Sequence, residues 1–242
     1  LILVFLQKLQ NGNQNQENMK VLFGAAWAVL CKDLLLEMRT RYGINTIVLF
    51  VLISVALTLF SLAGEVLRQE IIAALFWNTV FFAAMVALQR GFVSEAEQHT
   101  ALFLALSAPP TAIFLGKLFY NLTLALVVNV LIAWLYILTL NLEIFNWAIF
   151  LATLLLGSIG AAASLTLISA IVANATSKGG LFAVLSFPIL LPLILLVVRA
   201  SKVATMEDAP LARAETELQL LGAYAVMMLT VSLMLFDYVW ED

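Results

Sequence analysis

The sequence predicts an all-α integral membrane protein, with six transmembrane helices preceded by an amphipathic N-terminal interfacial helix. Three observations lead there. Six long apolar runs contain no Asp, Glu, Lys, Arg or His, and about 18 or more such residues cross the bilayer core as a helix, because lipid offers no partner to an unpaired backbone group. The composition is 64% hydrophobic and 11% charged, where soluble domains carry about 25% charged residues. The polar stretches between the runs are too short to build a core of their own, so residues 19–242 read as a single transmembrane domain.

Residues 1–18 read as a disordered or non-native extension. Leu1 to Leu6 is too short for the apolar core of a signal peptide, and Asn11 to Asn18 is an Asn/Gln-rich run that buries little. Met19 reads as the natural start.

From Lys20 to Tyr42, the residues Phe23, Trp27, Leu30, Leu34 and Met38 recur at spacings of four and three and form one apolar stripe, with Lys32 and Arg39 on the other side. Two arrangements fit that pattern. In one the helix lies along the membrane surface, with Trp27 at headgroup level and Lys32, Arg39 and Arg41 toward anionic lipid. In the other it packs on neighbouring spans without touching lipid.

The spans are expected at about 44–64, 71–88, 118–140, 144–173, 181–198 and 218–236. Orientation follows from the basic residues, which are enriched in cytoplasmic segments. An N-terminus inside puts Lys8, Lys20, Lys32, Arg39, Arg41, Arg90, Lys117 and Lys178 in the cytoplasm and Arg68, Arg199, Lys202 and Arg213 outside. Eight against four favours that orientation, with both termini cytoplasmic.

The cytoplasmic stretch Gln89 to Lys117 is the most informative. Ser94 and Glu97 have the spacing of a capping box, which predicts a short helix through Glu95, Glu97, His99, Thr100, Leu102 and Phe103, stopped by Pro109 and Pro110 before Thr111 caps the third span. A helix with an acidic start and an apolar end, held on two short tethers, suits docking in a partner's groove, with Glu95 and Glu97 meeting basic groups there. A re-entrant or surface-lying helix without a partner is the alternative.

Within the spans, Gly157, Gly160, Ala161 and Ser164 leave one face of the fourth nearly bare, so another helix can approach closely. Pro188 and Pro192 free carbonyls in the fifth and form a possible hinge. Asn78, Asn121 and Asn129 are the polar candidates for hydrogen bonds between helices.

Several chemistries are missing from the sequence. There is no GxxxxGK[ST] loop to cradle a nucleotide. No Asp, Glu, Lys, Arg or His lies within the runs to make a proton relay, and no catalytic arrangement lies at membrane depth, so no enzyme is expected. Cys31 is alone, which excludes an internal disulfide and CxxC patterns. His99 is the sole histidine and as a metal or haem ligand would stand alone, so no metal site is expected. A net charge of -3 argues against nucleic acid.

These residues carry a resemblance. KDLLLEMRTRY (Lys32 to Tyr42), FVSEAEQHTALFLALSAPPTAIFLGKLFYN (Phe92 to Asn121), LLLGSIGAAASLTLISAIVA (Leu154 to Ala173), FPILLPLIL (Phe187 to Leu195) and LMLFDYVW (Leu233 to Trp240) together resemble, in order from Met19 to Asp242, the CcmB-like permease family of the cytochrome c maturation haem exporter. More distantly, Glu95, Glu97, Thr100 and Pro109 to Lys117 are similar to the coupling region of type-2 ABC exporter permeases. Where those proteins often have Gly-Thr after the acidic pair, this chain has His99 and Thr100.

The resemblance implies a permease domain over residues 19–242 in a bacterial inner membrane, working with a separate cytoplasmic ATPase that binds ATP. It also implies a haem-handling membrane subunit and a periplasmic haem chaperone as partners, haem as the transported or delivered ligand, and no cofactor resident in this chain. By analogy, six spans make half of an ABC translocation unit, which implies a second copy. The alternatives are a type-2 exporter permease for a polysaccharide, lipid or drug, and a membrane scaffold without transport.

Overall fold

The computed structural model describes the backbone of residues 2–241 except 63, 66, 174, 176, 177 and 208–211, and the side chains from Met19 onward except at those positions and at 212, 237 and 241. The expected extension over residues 1–18 lies outside the described side chains. Among the described residues the elements are all helical, without strands: α1 (Ile2–Thr40), α2 (Tyr42–Leu62), α3 (Gln69–Leu88), α4 (Arg90–Glu97), α5 (Ala101–Ser107), α6 (Pro110–Leu140), α7 (Trp147–Val172), α8 (Lys178–Ala204) and α9 (Ala212–Glu241). Six units are long and apolar enough to cross a membrane: α2, α3 continued by α4, α6, α7, α8 and the Arg213–Phe236 part of α9. The chain is a multi-pass membrane protein, and each apolar run of the sequence falls on one of these helices. Most of the helices outrun the apolar runs, because polar and charged side chains are tolerated once the helix leaves the hydrocarbon or packs on a neighbour.

The turns are fixed by named side chains. Asn146 caps α7 by accepting from the Ile149 amide, and Asn141 ends α6 in the left-handed region, with φ 51°, which Asn tolerates better than most residues. At the same end of the bundle, Gln69 Nε2 donates to the Asn141 carbonyl at 3.1 Å and Gln69 Oε1 accepts from the Glu143 amide at 3.0 Å. The short helix stops at Ser107, just before Pro109 and Pro110, as the sequence suggested, but Thr111 does not cap the next one. Pro109 is itself the N-cap residue of α6 and Pro110 its first residue, where a fixed φ and a missing N–H cost nothing.

At the centre stands α7, packed on α3, α4, α6, α8 and α9. Its small face is used inside this chain. A Cβ on Gly157 would lie 3.0 Å from Val197 and 3.1 Å from Trp77, and one on Gly160 would lie 3.1 Å from both Leu193 and Tyr224. Ser164 shares a hydrogen bond of 3.2 Å with the Tyr224 hydroxyl, which also donates to the Ile189 carbonyl at 2.8 Å, one residue after Pro188. Ala161 beside them is half-buried. Pro188 and Pro192 lie inside an unbroken α8.

Buried hydroxyls on α7 return to carbonyls of their own helix, as Thr153 does to Ile149 and Ser158 to Leu154, so they need no partner elsewhere. Amides cannot do this as readily, and two of the three expected ones bridge helices: Asn121 donates to Thr166 at 2.8 Å and Asn129 to Ser158 at 2.9 Å. Asn78 does not. It is exposed on α3, and the polar contact of that region is made next door, where Thr79 and the Tyr136 hydroxyl lie 2.6 Å apart.

The helix α1 divides the expected stripe, of which Leu30 is buried and Leu34 half-buried. The face packed on α6 carries Ala26, Val29, Leu30 and Asp33, whereas Phe23, Trp27 and Met38 are exposed. The contact is so close that a Cβ on Gly116 would sit 2.6 Å from Val29 Cβ and 2.7 Å from the Ala26 carbonyl oxygen. A glycine is required there.

Candidate functional site

Where α1, α4 and α6 meet, four charged side chains close on one another. Lys117 is 2% exposed, and its Nζ lies 2.8 Å from Glu95 Oε1 and 2.9 Å from Asp33 Oδ2. It also donates to the Gly91 carbonyl at 3.1 Å. Lys32 Nζ donates to Glu95 Oε1 and lies 3.2 Å from Asp33 Oδ1. The quartet holds two cations and two anions, so its charges cancel, which is the condition under which charges persist in a buried setting. Burial disfavours the Lys32 ammonium, but its bonds to Glu95 and its attraction to Asp33 prevail and hold its pKa above the ordinary lysine value.

Glu95 is the hinge pin of the group. Its other oxygen, Oε2, accepts from the Thr100 hydroxyl, and its carbonyl accepts from the Thr100 amide at 3.0 Å. These bonds cross the break between α4 and α5, where His99 takes φ 56°. That left-handed conformation is one glycine adopts freely and other residues pay for. The histidine therefore holds a turn that glycine would adopt without strain.

Several expectations for this segment are overturned. Ser94 does not cap a helix: α4 begins at Arg90, and Ser94 Oγ donates back to the Gly91 carbonyl at 3.3 Å inside it. Glu97 ends α4 instead of standing in its first turn, and is exposed. The helix expected from Glu95 to Leu106 is two helices, because the left-handed His99 turns the chain. Glu95 faces inward, held by Lys32 and Lys117, and its carboxylate is not free to meet a partner. Lys32, expected to project away, pairs with it. Arg39 and Arg41 are exposed.

The quartet escaped sequence reading because its members are far apart in the chain. One signal was present: Lys117 lies two turns inside a helix that the double proline starts at residue 110, too deep to be a loop residue. Near it Phe92 pairs with Phe236 and Trp240, with ring centroids 5.2 and 5.4 Å apart, which closes the end of α9 over α4.

Beside the quartet, Glu37 Oε1 accepts from the Ile44 amide at 2.7 Å and so caps the start of α2. The Tyr120 hydroxyl donates to Glu37 Oε2 at 3.5 Å, and the Arg90 guanidinium lies 4.6 Å from the centre of the Tyr42 ring. A cavity of about 400 Å³ between α1, α2, α4 and α6 is lined by Asp33, Glu37, Arg90, Gln98 and Tyr120, among others.

Beyond the break, α5 presents Leu102, Phe103 and Leu106 at 72%, 75% and 81% exposure and buries only Leu104. A groove of about 340 Å³ runs between it and α1, with Val29, Leu36, Phe103 and Leu104 in its walls. Three large apolar side chains on one short helix, tied to the bundle by a charged clamp, form an exposed apolar surface. Among the described residues, no group of three His, Cys, Asp or Glu side chains is placed to hold a metal.

A family model described as CcmB protein matches residues 24–238. No curated protein matches the chain.

Proposed function

The chain belongs to the CcmB protein family, and from that premise we propose that it is the membrane permease subunit of an ABC-type complex for haem export or delivery in cytochrome c maturation. The match over residues 24–238 carries this reading, because it takes in every span and the segment from Glu95 to Phe103. The sequence has no nucleotide loop of its own, which agrees with a separate cytoplasmic ATPase that binds ATP.

In this reading α5 is the contact element. Leu102, Phe103 and Leu106 meet the ATPase, and the clamp of Glu95 on Lys32 and Lys117 passes the motion to α1 and α6. The end of the bundle with Lys20, Lys32, Arg39, Arg41, Arg90, Lys117 and Lys178 is cytoplasmic in a bacterial inner membrane, by the bias of basic residues. The exposed stripe of Phe23, Trp27 and Met38 then sits at the interface of the cytoplasmic leaflet. Haem is cargo, handled with a haem-handling membrane subunit and a periplasmic haem chaperone. The working unit contains two copies.

The test is a deletion strain complemented with the tagged chain, scored for covalent haem attachment to cytochrome c and for co-purification of an ATPase. Loss of attached haem on deletion, restored by the tagged chain with an ATPase bound, is the expected result. Normal cytochrome c in the deletion strain would sink the haem assignment, and a pure preparation without ATPase would sink the coupling.

A further inference from the structure

The middle of α3 carries a polar side chain with nothing to bond. Asn78 is exposed, and it is nine residues from Gln69 and ten from Leu88, about 14 and 15 Å along the helix axis. That is the centre of a hydrocarbon core about 30 Å thick. The exposed hydroxyls of the other spans are of a different kind, since Thr123 and Thr230 bond carbonyls of their own helices at 2.8 and 2.9 Å. The Asn78 amide forms no hydrogen bond with another described residue. It is too short to reach the headgroups, and leaving its donors and acceptor against lipid is unfavourable.

The surface around it is otherwise apolar. Ile71 and Phe82, two turns before and one turn after on the same face, are 38% and 48% exposed. Phe187 of the neighbouring α8 is 55% exposed and reaches the Phe81 ring at 6.2 Å. This face needs a cover that accepts apolar contact around one central amide. An amide is both donor and acceptor, so two of them satisfy each other. A twofold contact places the same patch of each subunit opposite itself.

We propose that two copies of this chain meet across the α3 face centred on Asn78, with the two Asn78 side chains hydrogen bonded to each other near the twofold axis. This rests on the two-copy reading above and gives it a location. The small-residue face of α7 is excluded from that role, because Gly157 and Gly160 are already filled by Val197, Trp77, Leu193 and Tyr224 of the same chain.

The experiment uses membranes in which the full chain is made together with its partner subunits, in a Cys31→Ser background. Asn78→Cys is oxidised with copper phenanthroline and compared with Val130→Cys on α6, where the parent residue is 61% exposed. A disulfide-linked dimer at position 78 and none at 130 is expected, with Phe82→Cys as a second probe of the same face should Asn78→Cys fail to accumulate. Asn78→Leu should weaken self-association in detergent by about threefold to thirtyfold, as loss of one hydrogen bond between membrane helices does, and Asn78→Gln should restore part of it. A dimer linked at 130 and not at 78, equal linking at both, or a linked product containing a different subunit overturns the proposed face. Two copies by native mass spectrometry with no linking at 78 or 82 overturn the face and leave the two-copy reading standing. A single copy in the active complex overturns both.

Discussion

Lys117 of α6 and Glu95 of α4 are joined through a contact of 2.8 Å between Nζ and Oε1, 22 residues apart in sequence, at the point where a membrane helix turns into the exposed helix α5. Glu95 also holds Thr100 across the break, so this one carboxylate links α1, α6 and the base of α5. Besides this carboxylate, the buried Leu104 and the short link from Ser107 to Pro110 tie α5 to the bundle.

Breaking the clamp should therefore be costly for the fold itself. Glu95→Lys puts a third cation into the group and leaves Asp33 as the single anion facing three lysines, which destabilises by about 3–5 kcal/mol. Thermal unfolding in detergent, followed by loss of the monodisperse peak, should show a large drop for Glu95→Lys and for Lys117→Met. Glu97→Lys, on an exposed residue, should stay within about 0.5 kcal/mol of the parent. Equal stability for all three would mean that the quartet is not a structural clamp.

The spans were legible because lipid enforces them: a run without charges has one structural solution in hydrocarbon. Asn121 and Asn129 were legible for the same reason, as an amide inside a span must find a partner. The quartet was not, since nothing local marks Asp33, Glu95 and Lys117 as neighbours. The capping pattern at Ser94 misled because the same residues also fit the middle of a helix continuing from α3. Asp33 and Glu37 in α1 pointed inward for a reason visible only in three dimensions, the close approach of α1 to Gly116.

That approach gives a second prediction. Gly116→Val places a side chain where Val29 Cβ and the Ala26 carbonyl lie within 2.7 Å, and a backbone oxygen cannot swing aside. Overpacking of this kind costs about 1–3 kcal/mol. Limited proteolysis should then release the α1 segment, while Gly24→Val, with nothing within 4 Å of its Cβ, should leave the digestion pattern unchanged. A matching pattern for both variants would refute the packing of α1 on α6.

His99→Gly tests whether the backbone or the imidazole matters. Relief of a left-handed non-glycine residue is favourable by about 1 kcal/mol, partly offset by the greater freedom of glycine when unfolded. The variant should match or exceed the parent in melting temperature and support full cytochrome c haem attachment. His99→Val should lose about 1–3 kcal/mol. Should His99→Gly abolish haem attachment at normal protein levels, the side chain has a role that the backbone account misses.

Orientation is testable at exposed turns. Ser201, near the C-terminal end of α8, is buried and accepts from the Trp77 indole, so it is a poor site for labelling. Ser107 at the end of α5 and Asn141 after α6 are exposed at opposite ends of the bundle. In a Cys31→Ser background, a membrane-impermeant maleimide added to spheroplasts should label Asn141→Cys and spare Ser107→Cys until the membrane is opened. The reverse order would invert the chain in the membrane.

The sharpest test of coupling lies on α5. Leu102, Phe103 and Leu106 are exposed, so replacing them should leave the bundle intact to within about 0.5 kcal/mol. As anchors of an interface they should matter far more: loss of a central apolar contact commonly costs about 2 kcal/mol or more, a factor of about 30 in affinity. Phe103→Asp combined with Leu106→Asp should thus insert and melt like the parent, lose the ATPase on purification and stop haem attachment. Glu97→Lys, at the end of α4, reports whether charge adds to that contact, and Glu215→Lys at the far end of the bundle is the control. If the double aspartate variant is made in normal amount, retains the ATPase and matures cytochrome c, then α5 is not the surface through which the ATPase drives this subunit.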